Sequence, residues 1–346
     1  MKTPANMKKP ALYIILFFIF SGPFFAYGQT PEVRKIWDQA PHNAFTDLIR
    51  YKSHFYCTFR EGESHVPHDT TENGTIRIIR SKNGKDWKSV ASLKSSHYDL
   101  RDPKLSITPG KKLMVLMGGS HYKNGQNLEQ QSHVSFSSDG LHFNQPQPVS
   151  IEESVRTTHD WIWRITWKGN TGYAVVYQTR LPDNTWKTRL LKTTDGVTYE
   201  HVCELDVGSK PNEATIRFDG EQMFVLVRRG NGANGMLGKS FPSYRDWKWH
   251  ELDFRLGGPN FIFLPNDMLC IGSRHYKSSG AKTALFITDR KGNLQKTIDL
   301  SSGGDTSYPG LVSFKGNIWI SYYSSHEEKT SIYLTKIKTE NIIENE

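Results

Sequence analysis

Three short turns of one chemical pattern recur along this chain at even intervals. They are Ser81-Lys82-Asn83-Gly84-Lys85-Asp86-Trp87, Ser137-Ser138-Asp139-Gly140-Leu141-His142-Phe143 and Thr193-Thr194-Asp195-Gly196-Val197-Thr198-Tyr199, and they begin 56 residues apart. In each, the Asp or Asn can bond back to turn amides, the Gly accepts a positive φ, and the closing aromatic packs on the hairpin. Looser copies stand at residues 240–247 and 288–294. Between the turns lie apolar hairpins at residues 47–60, 104–118, 164–178, 215–229, 261–274 and 310–323. Long amphipathic helical patterns are absent, and alternating runs rich in Val, Ile, Thr, Tyr, Phe and Trp dominate. Six inner hairpins, each followed by an outer strand pair, predict an all-β chain folded as a six-bladed β-propeller. The last blade lacks an outer strand of its own, and residues 33–38 are expected to supply it and close the ring. With no Pro-, Gly- or Ser-rich linker, residues 29–346 read as a single domain.

The first 28 residues read as a secretory leader. Lys2, Lys8 and Lys9 precede an apolar run over 11–25, and Ala26-Tyr27-Gly28 offers a cleavage site before Gln29. The run is interrupted by Gly22-Pro23 and is too short for a stable membrane span. The expectation is export to the periplasm or beyond. The formal charge is +9, and loss of the three leader lysines leaves +6. That charge is spread along the chain, which excludes the concentrated basic stripe of a nucleic-acid binder and suits an anionic substrate. Cys57, Cys203 and Cys270 lack metal or redox spacing. Cys57 and Cys270 fall inside apolar strands, as buried free thiols do, although the sequence leaves a disulfide open. No metal or other cofactor is expected.

Strand alternation also sorts polar residues. Segments that enter the first strand of a blade and leave its second strand share one rim, opposite the Gly turns. That rim collects Arg60 and His65 from blade 1, Arg101 and Asp102 from blade 2, and His159, Asp160 and Arg164 from blade 3. Blade 4 adds Glu213, Arg228 and Arg229, blade 5 adds Arg274, and blade 6 adds Asp305 and Tyr308. Arg228 and Arg229 are adjacent in a strand, so at most one points to the axis; Arg228 is the choice.

At these residues the chain resembles the sialidase superfamily, whose members are six-bladed propellers with Asp-box turns of the form Ser-x-Asp-x-Gly-x-Thr-Trp. The boxes here are degenerate: Asn83 replaces Asp in the first, and the spacer before Gly is missing. Asn212-Glu213-Ala214-Thr215-Ile216, followed by the strand ending in Arg228-Arg229, is similar to the segment that carries the family's catalytic Glu and a substrate-binding Arg. Asp305-Thr306-Ser307-Tyr308-Pro309-Gly310 is similar to the segment of the nucleophilic Tyr. The resemblance implies Tyr308 as nucleophile, Glu213 as its base, and Arg274 with Arg228 or Arg229 as the grip on a substrate carboxylate. Those roles suit a sugar with a carboxylate on its anomeric carbon. A neutral phenol is not repelled by that charge, but its pKa near ~10 requires a neighbouring base. Guanidinium groups hold carboxylates in bidentate fashion.

The rim pattern departs from the family at its first arginine. The first Arg of the Phe/Tyr-Arg-Ile-Pro motif is absent from His42-Asn43-Ala44-Phe45-Thr46-Asp47-Leu48, and Arg60 is the expected substitute. The general acid is expected at Asp69, in the loop that carries it in the family. Asp47, Asp102 and Asp160 compete, and His65 or His159 could do acid work. Arg101 and His159 complete the expected substrate contacts. The leading expectation is an exo-glycosidase that removes a terminal acidic sugar from a glycan or polysaccharide. The alternatives are a uronate-specific polysaccharide lyase using a Tyr/His/Arg rim, and a carbohydrate-binding propeller without chemistry.

Overall fold

The computed structural model describes Met1 and residues 32–343. The expected leader, apart from Met1, lies outside them. Among the described residues, no helix is long and apolar enough to cross a membrane.

Six antiparallel sheets follow one another in chain order. Blade 1 is built from His42–Tyr51, His54–Gly62, Thr75–Ser81 and Lys88–Leu93. Blade 2 comprises Asp99–Ile107, Leu113–Lys123, His133–Ser137 and Gln147–Pro148, with Gln126–Gln130 extending its second strand into a ribbon. Blade 3 is Asp160–Lys168, Thr171–Gln178, Lys187–Thr193 and Thr198–Leu205, edged in parallel by Ser150–Ile151. Blade 4 is Pro211–Asp219, Gln222–Arg229, Met236–Ser240 and Lys248–Glu251. Blade 5 is Asn260–Leu264, Met268–Lys277, Gly280–Asp289 and Leu294–Asp299. Blade 6 has Thr306–Phe314, Asn317–Ser324 and Ser331–Lys338. Its fourth strand is the N-terminal Val33–Trp37, paired antiparallel as Val33 to Thr335 and Arg34 to Leu334. The expected closure by residues 33–38 is therefore found.

The second strand of each blade is covered on both faces, and its side chains alternate between two neighbours. In blade 2, Leu113, Val115 and Met117 pack toward blade 1, while Met114 and Leu116 pack toward blade 3. In blade 4, Met223, Val225 and Val227 join blade 3, and Phe224 and Leu226 join blade 5. Among the described residues the buried apolar side chains fall into six clusters, one at each blade junction.

The three Gly turns join the third and fourth strands of blades 1 to 3, and each carries the same bonds. The hydroxyls of Ser81, Ser137 and Thr193 accept from the amides of Gly84, Gly140 and Gly196 at 2.8, 2.8 and 2.9 Å. Asn83, Asp139 and Asp195 each accept two further turn amides. Each Gly has a φ of 75–79°. Each also lies against the second strand of the preceding blade, at Trp319, Tyr56 and Met114 respectively. The turns thus clamp neighbouring blades together at the end opposite the rim. Cys57, Cys203 and Cys270 are free thiols, and Cys57 and Cys270 are buried.

Candidate active site

The first strands of five blades slip register close to their starts. The irregularities lie between Ala44 and Asp47, Arg101 and Lys104, Ile162 and Ile165, Pro211 and Ala214, and Ser307 and Gly310. A bulge of this kind re-aims a side chain out of the sheet. Inside three of them a non-glycine residue adopts positive φ: Phe45 at 65°, Asp102 at 50° and Tyr308 at 54°. Such a conformation costs on the order of 1–3 kcal/mol and persists only where the surroundings enforce it. The bulges bring together residues that are far apart in sequence. The Tyr308 ring lies 5.1 Å from Phe45 and 5.6 Å from Trp163. Its hydroxyl donates to Glu213 Oε1 at 2.5 Å.

Glu213 is held from three sides. Besides Tyr308, Arg228 Nη1 donates to Oε1 at 2.7 Å, and the Gly258 amide donates to Oε2 at 2.7 Å. Burial would raise its carboxyl, but the Arg228 charge and these hydrogen bonds outweigh it and hold Glu213 below the usual range. Burial, reinforced by the Glu213 carboxylate, pushes the Tyr308 phenol well above 10. At rest the proton therefore sits on Tyr308, in a bond already aimed at an ionised base.

Gly257 and Gly258 supply the floor. Gly258 has a φ of 65°, and a Cβ there would stand 2.5 Å from the Tyr308 ring. The Gly257 carbonyl accepts from the Ser307 hydroxyl. Lys104, 2% exposed, sets its ammonium 4.4 Å from the Trp163 ring centre and 5.5 Å from that of Tyr308.

Three guanidinium groups stand on this rim: Arg228 on Glu213, Arg274 on the Thr306 carbonyl, and Arg101 over Phe45. Arg274 donates from Nε to the Thr306 carbonyl at 2.8 Å, and from Nη2 to Tyr323 at 3.2 Å and Asp305 at 3.4 Å. Arg101 lies 4.9 Å over the Phe45 ring and 3.7 Å from Asp102. Phe45 occupies in blade 1 the bulge position that Tyr308 occupies in blade 6. The segment 42–48, in which the resemblance expects an Arg, presents this ring, and the Arg101 guanidinium from the next blade lies over it.

Other expected residues are placed elsewhere. Arg60 is fully buried, with Nε donating to Asp99 Oδ1 at 2.8 Å and Nη1 donating to the Ser64 carbonyl at 2.7 Å. It anchors the loop after its strand and presents no guanidinium to solvent. Arg229 faces away, toward the Asn234 and Val207 carbonyls and Glu251, because adjacent strand residues point oppositely. Asp69 caps a short 3-10 turn and accepts from the Thr71 amide and hydroxyl. His159 is 7% exposed, and its backbone bridges blade 3 to Gln130 on the blade 2 ribbon. Asp47 pairs with Arg164 at 2.8 Å and accepts from the Leu105 amide, and Asp160 accepts from Thr157 and Gln178. Sequence reasoning missed Lys104 and the Gly257-Gly258 floor. A lysine in a strand reads as solvated, and a Gly pair reads as an ordinary turn; the absence of an Arg from residues 42–48 was the visible trace of the rearranged arginines.

Beside this cluster, His65 Nδ1 lies 2.7 Å and His42 Nε2 lies 3.5 Å from the same Asp305 oxygen, Oδ2. Asp305 Oδ1 accepts from Tyr323 at 2.8 Å. Against the burial that would raise it, hydrogen bonds from both imidazoles and from Tyr323 hold Asp305 well below the usual carboxylate range.

No protein-family model and no curated protein sequence matches the chain. Solved structures do. A protein of unknown function from Dyadobacter fermentans superposes with a TM-score of 0.74 at 18% identity, covering 88% of this chain and 99% of that one. Trypanosoma rangeli sialidase in complex with sialic acid gives 0.66 at 11% identity, over 88% of this chain. The fold is the propeller of the sialidases. This chain spans 55% of that enzyme's length. The α-L-arabinofuranosidase Arb93A of Fusarium graminearum gives 0.67 at 16% identity, over 92% of this chain and all of that one. At such identities the likeness speaks for the fold, and the chemistry has to be argued from the residues.

Proposed function

We propose that this protein is a retaining exo-glycosidase acting on a terminal sugar that carries a carboxylate beside its anomeric carbon. The observation that carries the reading is the Tyr308–Glu213 bond of 2.5 Å, with Arg228 and Arg274 on the same rim. The glycoside hydrolases among the structural neighbours support the reaction class. The guanidinium groups of Arg228, Arg274 and Arg101 attract and orient the carboxylate. The Tyr308 oxygen attacks the anomeric carbon while its proton passes to Glu213, and no anionic nucleophile has to approach the substrate's own charge. Water then releases the sugar, and Glu213 returns the proton to Tyr308. The same reading places the working protein outside the cytoplasm, where acidic glycans are met.

The test is turnover of chromogenic sialosides and related keto-acid sugars, run beside uronic-acid polysaccharides followed in the ultraviolet. Saturated sugar is the expected product, and Tyr308→Phe is expected to lose at least about 1,000-fold in kcat with its melting curve intact. A fully active Tyr308→Phe enzyme refutes the mechanism. Unsaturated, ultraviolet-absorbing products would assign a lyase to the same rim, and saturable glycan binding without turnover would leave a lectin.

A further inference from the structure

The glycosidase reaction needs a proton donor at the leaving oxygen, and the carboxylates of the rim are mostly committed elsewhere. Asp47 is tied to Arg164, Asp99 to Arg60, Asp160 to Thr157 and Gln178, and Asp69 to Thr71. We infer that His65 is the general acid and base of the reaction, with Asp305 as its positioning residue. The inference rests on the glycosidase reading above.

His65 stands at the exposed edge of the rim. Its side chain is 47% exposed, and its ring packs edge-on to Phe45 at 5.0 Å, so one aromatic ring separates it from Tyr308. Its Nδ1 is occupied by Asp305. Among the described residues its Nε2 makes no hydrogen bond, so it can meet an oxygen arriving from solvent. Asp305 is itself fixed by Tyr323 and Arg274, and its bond to Nδ1 fixes the ring orientation and turns Nε2 outward. Besides Asp305, the titratable groups beside this imidazole among the described residues are His42, at a ring distance of 5.4 Å, and the Asp102 carboxylate, which interacts with it electrostatically. Asp102 is the competitor. Burial raises its carboxyl against the pull of Arg101, but its side chain is only 8% exposed and lies 3.7 Å from that guanidinium. In an exo-acting site the sugar enters the pocket and the leaving group stays outside. The acid then belongs at the open edge.

The proton balance closes. In the first step the Tyr308 oxygen bonds to the anomeric carbon as the glycosidic C–O bond breaks. The Tyr308 proton goes to Glu213, and the His65 Nε2 proton goes to the departing oxygen. In the second step, neutral His65 takes a proton from water as the water oxygen displaces Tyr308, which regains its proton from Glu213.

The experiment compares an alkyl-linked or glycan-linked substrate with its 4-nitrophenyl counterpart. His65→Gln is expected to lose roughly 100-fold to 1,000-fold in kcat/KM on the poor leaving group and less than about 10-fold on nitrophenol, which departs without a proton. Asp305→Asn is expected to lose kcat on the poor leaving group and little on nitrophenol, with KM close to wild type, a leaving-group selectivity that a structural role alone would not produce. Equal losses on both substrates for His65→Gln overturn the inference. So does a leaving-group-selective loss in Asp102→Asn but not in His65→Gln. So does wild-type activity that is abolished by EDTA and restored by zinc, because His42, His65 and Asp305 would then be serving as metal ligands. Failure of the glycosidase reading looks different: Tyr308→Phe stays active, or no substrate is turned over by any form.

Discussion

Lys104 shows how much one residue can reveal about this pocket. It is 2% exposed, and burial followed by the charge of Arg164 pulls its pKa down to about 8, against the opposing pull of Asp102, Asp47 and Glu213. The unfolded chain keeps that proton up to about pH 10.4. Between about pH 8 and 10.4 the unfolded state therefore binds more protons than the folded one, and stability rises with pH in that window. Lys104→Met removes the group, so the unfolding free energy of the wild type relative to the variant should rise by about 3 kcal/mol from pH 8 to pH 10.5. Urea titrations across that range test it, and parallel curves for the two proteins would refute the buried charge. Nothing in Lys104-Leu105-Ser106-Ile107 announces this. Its environment is made by Trp163 and Tyr308 from other blades. The same holds for Arg60 and Arg101: both leave or enter strands at the rim, and both reach Asp99, Arg60 at 2.8 Å with full burial and Arg101 at 3.5 Å while lying over Phe45.

At the scale of an element, the Gly turns were legible because their chemistry is local. A hydroxyl, an Asx side chain and a Gly within four residues specify one set of bonds, and all three turns make it. What the pattern did not announce is that each Gly also forms part of a blade junction. Gly140 has a φ of 79°, and a Cβ there would stand 2.3 Å from the Tyr56 hydroxyl. Gly125 has a φ of 72° and open space around its Cβ position. Gly125→Ala should therefore cost only backbone strain, about 1 kcal/mol. Gly140→Ala should cost that strain plus displacement of a buried Tyr, about 3 kcal/mol in all. Calorimetry of the two variants separates these terms, and equal melting temperatures would mean that the turn does not bear on the neighbouring blade. The bulges that build the candidate active site had no such signature. Phe45, Asp102 and Tyr308 are unlike one another, and their shared backbone conformation is imposed by register with the second strand rather than by residue type.

For the whole molecule, counting strands was enough to anticipate closure, since a sixth sheet with three strands leaves an edge that a ring cannot tolerate. The structure closes it with Val33–Trp37, which pairs along Ser331–Lys338 in blade 6. It also shows a bond that strand counting could not foresee. Trp37 Nε1 donates to Glu61 Oε1 of blade 1 at 2.7 Å, and Glu61 Oε2 is held by Arg77 at 2.8 Å. The closing strand thus belongs to blade 6 by its backbone and to blade 1 by its side chain, and it locks the junction that carries Phe45 and Tyr323. Deleting residues 32–38 should bare the edge of Ser331–Lys338, where unpaired amides and carbonyls invite pairing with a second chain. The expected result is a lower melting temperature together with concentration-dependent association in sedimentation. Trp37→Phe keeps the strand and the ring packing but removes the donor, so it should stay monomeric and lose about 1–3 kcal/mol, the range for a partly buried carboxylate left short of one partner. Because Phe45 lies between this junction and Tyr308, a deletion that frays the junction should also lower turnover, while Trp37→Phe should leave turnover close to wild type. If the deleted chain stays monomeric, melts as before and turns over as before, the ring does not depend on its N-terminal strand.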